Sequence, residues 1–105
     1  MVDILLRSLR INPSIQAYRT LGDVMMRRGD ADKALTYYLL TDSFPQSPSE
    51  KIQNGLAISY AYVRVGEYFK AKSRLMEILE SRPDFQPAIQ LLNYVNDRLS
   101  GKPAN

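Results

Sequence analysis

Apolar positions along this chain recur at three- and four-residue steps, and prolines and glycines break the pattern at intervals. Spacing of this kind marks amphipathic helices, and the punctuation marks where they stop. Residues 2–11 carry Leu5, Leu6, Leu9 and Ile11 ahead of Asn12-Pro13, which predicts a short first helix. From Ser14 to Arg28 a second helix presents Ile15, Tyr18, Leu21, Gly22 and Met25, and Gly29 closes it. Asp30 caps a third, with Ala31, Ala34, Leu35, Tyr38 and Leu39 turned inward and an end near Ser43. Phe44 to Gln46 read as a loop.

The rest of the chain is organised around the stretch from Ser47 to Val65. It opens with Ser47, Pro48 and Glu50, an S-x-x-E capping box with proline at the first helical position. Its apolar residues, Ile52, Leu56, Ile58, Tyr60, Tyr62, Val63 and Val65, spread around most of the helix. A helix wetted on one side shows a narrower stripe, so this one is expected to have neighbours on several sides. Gly66 ends it. A fifth helix, Glu67 to Ser81, points Phe69 (or Tyr68), Ala71, Leu75, Ile78 and Leu79 inward, and Pro83 stops it. Asp84 can cap the sixth, about Phe85 to Leu99, whose core face reads Ile89, Leu92, Val95 and Leu99. No segment alternates as a strand does, so the class is all-α.

At 105 residues the chain makes one domain. A formal charge of +3 is mild, and no apolar run is long enough to span a bilayer, so membrane insertion is not expected. Cysteine and histidine are both absent. That removes disulfides, thiolate metal sites, the commonest metal ligand and the commonest general base at neutral pH. No acid pair, Glu77 and Glu80 included, has a nucleophile near it in sequence. Neither catalysis nor a cofactor or metal is expected.

Two of the helical pairs superimpose. Gly29 and Gly66 lie 37 residues apart, as do Ala34 and Ala71. Pro13 and Pro83 close pairs 70 residues apart, with Pro45 slightly out of phase between them. Tyr18, Leu21, Gly22 and Met25, followed by Ala34 and Tyr38, resemble the tetratricopeptide repeat, a helix–turn–helix of about 34 residues. Ile58, Tyr62, Ala71, Leu75 and Pro83 match again, while Gly55 and Ser59 depart from the aromatic and the glycine of the pattern.

The resemblance implies a right-handed superhelical stack of about six antiparallel helices. It divides the chain into a half-repeat at 1–13, repeats at 14–46 and 47–83, a capping helix at 84–100 and a tail at 101–105. It also implies a concave groove lined by the first helix of each pair, where a partner's peptide or helix lies. Groove positions would then be Arg19, Asp23, Met26 and Arg27, then Gln53, Leu56, Tyr60, Val63 and Arg64, and finally Gln90, Tyr94 and Arg98. Arginine and tyrosine suit such a surface because they combine contact area with a polar end. The alternative for Tyr60 and Tyr94 is that they pack on one another. A chaperone-type carboxylate clamp is not expected, since Asp23 and Ala57 stand where that variant carries asparagines.

Lys70, Lys72 and Arg74 alternate with Glu67, Glu77 and Glu80, the pattern of a solvated outer face and not of a nucleic-acid surface. The function expected is a protein-interaction or scaffold module, alone or within a longer repeat protein. The alternative is a small dedicated chaperone for one export or assembly client. Helix 2–11 has apolar residues on too many sides to bury them all. Ile4, Leu5, Leu6 and Leu9 thus form an edge expected to self-associate, meet a partner or continue an array.

Overall fold

The computed structural model describes residues 14–101; the expected helix 2–11, with its edge residues Ile4, Leu5, Leu6 and Leu9, lies outside the described residues. Those described form an all-α fold of five α-helices without a strand, as a helical repeat requires. The chain divides between Gln46 and Ser47 into two compact units.

In the first unit, Ser14 adopts extended backbone and its Oγ accepts the Ala17 N–H at 3.1 Å, which starts α1, Ile15–Arg27. The helix stops on Gly29, whose φ of 82° is open to glycine without the Cβ clash other residues meet. The Gly29 N–H returns to the Met26 carbonyl at 3.0 Å and the Asp30 N–H to that of Met25 at 2.9 Å, the paired bonds of a Schellman motif. Asp30 then caps α2, Ala31–Leu40, by accepting the Lys33 N–H at 3.2 Å. A 3₁₀ turn, Thr41–Ser43, carries the chain to the end expected from the sequence. Leu21, Val24 and Met25 of α1 are buried, with Ala34 and Tyr38 of α2. The Tyr18 and Phe44 rings, 5.7 Å apart, add an aromatic contact at one end of the unit.

The second unit begins with α3, Pro48–Arg64, and both bonds of its capping box are formed. It buries Ile52, Asn54, Gly55, Ile58, Ser59, Ala61 and Tyr62. At 3.6 residues per turn these cover about half the helix circumference. That width follows from contact with both other helices of the unit, α4, Tyr68–Ser81, and α5, Gln86–Leu99. The turn after α3 repeats the first one bond for bond. Gly66 has φ 83°, its N–H reaches the Val63 carbonyl at 3.1 Å, and the Glu67 N–H reaches that of Tyr62 at 2.9 Å. Met25, Met26, Gly29 and Asp30 thus map onto Tyr62, Val63, Gly66 and Glu67 at the same 37-residue offset. Ala34 and Ala71 are both fully buried.

Three expectations are corrected. Phe69 is 75% exposed, and Tyr68 takes the inward place, because 68 and not 69 is in phase with buried Ala71, Leu75 and Ile78. Asp84 does not cap α5; Phe85 occupies that position without a side-chain bond. The core face of α5 is Ala88, Leu91 and Val95, while Ile89, Leu92 and Leu99 are half-buried. Ala88, Leu91 and Val95 follow one another at three- and four-residue steps, so they form a single inward stripe.

Candidate functional site

On α3, Gln53, Leu56, Tyr60, Val63 and Arg64 fall on one stripe outside the buried arc. Leu56 and Val63 are half-buried, Gln53 and Arg64 are exposed, and Tyr60 is 45% exposed. On α5, Gln90, Tyr94 and Arg98 follow one another at single-turn spacing, all exposed, with Tyr94 at 39%. The two helices touch, and α4 packs against both. No ring pair forms between Tyr60 and Tyr94 among the described residues. Tyr94 instead meets Arg98, whose Cζ lies 5.8 Å from the ring centroid.

A second ring faces the same cation. Tyr68, the first residue of α4, has its centroid 6.0 Å from Arg98 Cζ. Hydrogen bonding to Tyr68, then charge interaction with Tyr94 and Tyr68, raises the Arg98 pKa above its ordinary value. Sequence reading placed Tyr68 only as an alternative core residue. Its pairing with Arg98 spans 30 residues and two helices, so no local spacing announces it. Arg64 stands four residues before Tyr68, across the Gly66 turn.

In the first unit, Arg19, Asp23, Met26 and Arg27 share a stripe of α1. Asp23 is held in place there, since its Oδ1 accepts the Tyr38 hydroxyl at 2.5 Å. Burial, that bond and the negative charge of Asp23 raise the Tyr38 pKa, against a smaller lowering by Arg19 and Arg27. Asp23 therefore belongs to the packing of α1 on α2, and Arg19, Met26 and Arg27 remain beside it.

Among the described residues no three acidic side chains converge as a metal site would need, and no helix is long and apolar enough to cross a membrane. Lys70 pairs with Glu67 at 3.6 Å on the exposed side of α4. Compared with protein-family models, curated proteins and solved structures, the chain matches none.

Proposed function

We propose that this chain is a protein-interaction module of the tetratricopeptide kind, a scaffold element that holds a peptide or helix of a partner along the outer faces of α3 and α5. Its hairpins would wind as a right-handed superhelix, with the first helix of each pair on the concave side. The observation that carries the reading is the Tyr–Arg pair left outside the packing on each of these helices, Tyr60 with Arg64 and Tyr94 with Arg98. Large side chains with polar ends, kept out of the core of a small domain, are what interface hot spots are built from. The repeated glycine turn and buried alanine at a 37-residue offset support the repeat reading.

Affinity capture with wild type, Tyr60→Ala and Arg64→Glu tests it. Each variant is expected to lose at least about 2 kcal/mol of partner binding while keeping wild-type helicity and melting. Several unrelated partners would indicate a scaffold, and one recurrent client a dedicated chaperone. A partner bound equally well by all three proteins would overturn the placement of the site.

A further inference from the structure

Arg98 is an exposed cation of this surface that two aromatic rings approach. Tyr94 lies one turn earlier on α5 and Tyr68 opens the neighbouring helix, so the guanidinium is approached by rings from two elements, at 5.8 and 6.0 Å. Aromatic faces stabilise a cation and restrict its rotamers. The hydrogen bond to Tyr68 uses one part of the guanidinium fork, while its other N–H groups stay at an exposed position. An arginine ordered in advance loses less freedom when it grips a carboxylate, and its fork can bind both oxygens.

No carboxylate forms an ion pair with Arg98 among the described residues. Lys33 pairs with Asp30 and Lys70 with Glu67, and among the described residues Arg98 and Arg64 join neither pair. The other members of the two stripes, Gln53, Leu56, Tyr60, Val63, Gln90 and Tyr94, are uncharged. The two stripes are therefore apolar and aromatic, with an arginine near the end of each helix and no acid among their members.

Resting on the interaction-module reading, we infer that the partner segment is an acidic peptide, with an Asp or Glu carboxylate seated on Arg98 and Arg64 beside it, and a neighbouring apolar side chain against Tyr60 and Tyr94. Charge complementarity selects this occupant. A nucleic acid fits less well, because two cations on a glutamine-bearing stripe neutralise few phosphates.

A random peptide library displayed against the full chain tests the inference. Wild type is expected to enrich sequences in which Asp or Glu lies within a few residues of an aliphatic or aromatic residue. Fluorescence anisotropy then follows one labelled selected peptide and its Glu→Gln or Asp→Asn counterpart. The amide is expected to bind wild type at least tenfold more weakly. Against Arg98→Gln with Arg64→Gln the two peptides should bind alike, with the melting curve of the variant unchanged.

Selected peptides without acidic enrichment, or an acid-to-amide change that alters affinity less than twofold, would overturn the acidic partner and leave the groove reading standing. Binding that survives Tyr60→Ala and Tyr94→Ala, or no selectable peptide at all, would overturn both. Arg98-dependent binding of a labelled single-stranded oligonucleotide, with no peptide selected, would replace the acidic peptide by a nucleic acid.

Discussion

The Tyr38 hydroxyl donates to Asp23 Oδ1 at 2.5 Å, tying the middle of α2 to the outer stripe of α1. A tyrosine that is 4% exposed needs a partner for its hydroxyl, and a carboxylate is a strong one. Tyr38→Phe removes the bond without changing the ring. It is expected to cost about 1.5 kcal/mol, the low end for a bond to a charged group, because Asp23 keeps partial access to water. The raised Tyr38 pKa gives a second readout. The folded state holds the phenolic proton more tightly than the unfolded chain, so this stabilisation is complete below the ordinary tyrosine pKa of 10.0 and declines as pH rises beyond it. Chemical unfolding of both proteins from neutral to alkaline pH should show their difference shrinking above that value.

Gly22 faces the same ring. A Cβ built there would collide with Tyr38 Cε1 and Cδ1 and lie 2.9 Å from Cζ. Two effects of Gly22→Ala oppose each other. Alanine gains about 1 kcal/mol of helix propensity, whereas forcing an extra methyl into a packed site costs about 1–3 kcal/mol. The ring is pinned by its hydroxyl bond, so the clash should win and the melting midpoint fall. In a Tyr38→Ala background the collision partner is gone, and Gly22→Ala should become neutral or stabilising. A fall of the same size in both backgrounds would refute the close contact.

Within residues 14–101 the helix positions, both glycine stops and the capping box were legible in the sequence, because each depends on residues within a few positions of one another. Gly22 and Ala34 were legible as inward-facing residues for the same reason: their place in the helical spacing is a local signal. The misreadings share a cause. Helical spacing admits Phe69 as well as Tyr68, and Ile89, Leu92 and Leu99 as well as Ala88 and Leu91, yet which of two adjacent stripes is buried is decided by the neighbouring helix. The Arg98–Tyr68 pairing and the engagement of Asp23 by Tyr38 are contacts between helices, invisible to periodicity along either one.

The two glycine turns offer a paired test. Gly29 and Gly66 have φ values of 82° and 83°, and a Cβ at either would meet nothing within 4 Å. Substitution there meets only backbone strain, so Gly29→Ala and Gly66→Ala should each cost about 1–2 kcal/mol, and Asn at either site less. Thermal melts would reveal any disparity. A difference of more than about 1 kcal/mol between the two alanine variants would exceed that strain range and count against structural equivalence of the turns.

Ala71 is fully buried where α4 meets its neighbours. Enlarging it in Ala71→Leu is expected to overpack the helix contact and cost about 1–3 kcal/mol. The exposed Met76→Leu on the same helix, 51% accessible, should leave the melting midpoint near wild type. An unchanged midpoint for Ala71→Leu would mean that α4 does not use this residue to approach its neighbours.

The start of α3 carries an acid-sensitive cap. The Ser47 N–H donates to Glu50 Oε1 at 2.9 Å, and the Glu50 N–H donates to Ser47 Oγ at 3.2 Å. The bond from the Ser47 backbone N–H, and after it a side-chain hydrogen bond from Ser47 to the carboxylate, lower the Glu50 pKa below its ordinary 4.5. A depressed carboxylate contributes stability above its unfolded pKa and loses that contribution as pH falls through the folded value. Glu50→Gln keeps a hydrogen-bond acceptor but cannot titrate. Wild type should therefore be the more stable of the two at neutral pH, with the gap narrowing as pH falls below 4.5. Denaturant unfolding at stepped pH measures that gap directly. If it stays constant from neutral pH down to pH 3, the charge on Glu50 contributes nothing to the cap, and the serine bond alone sets the start of the helix.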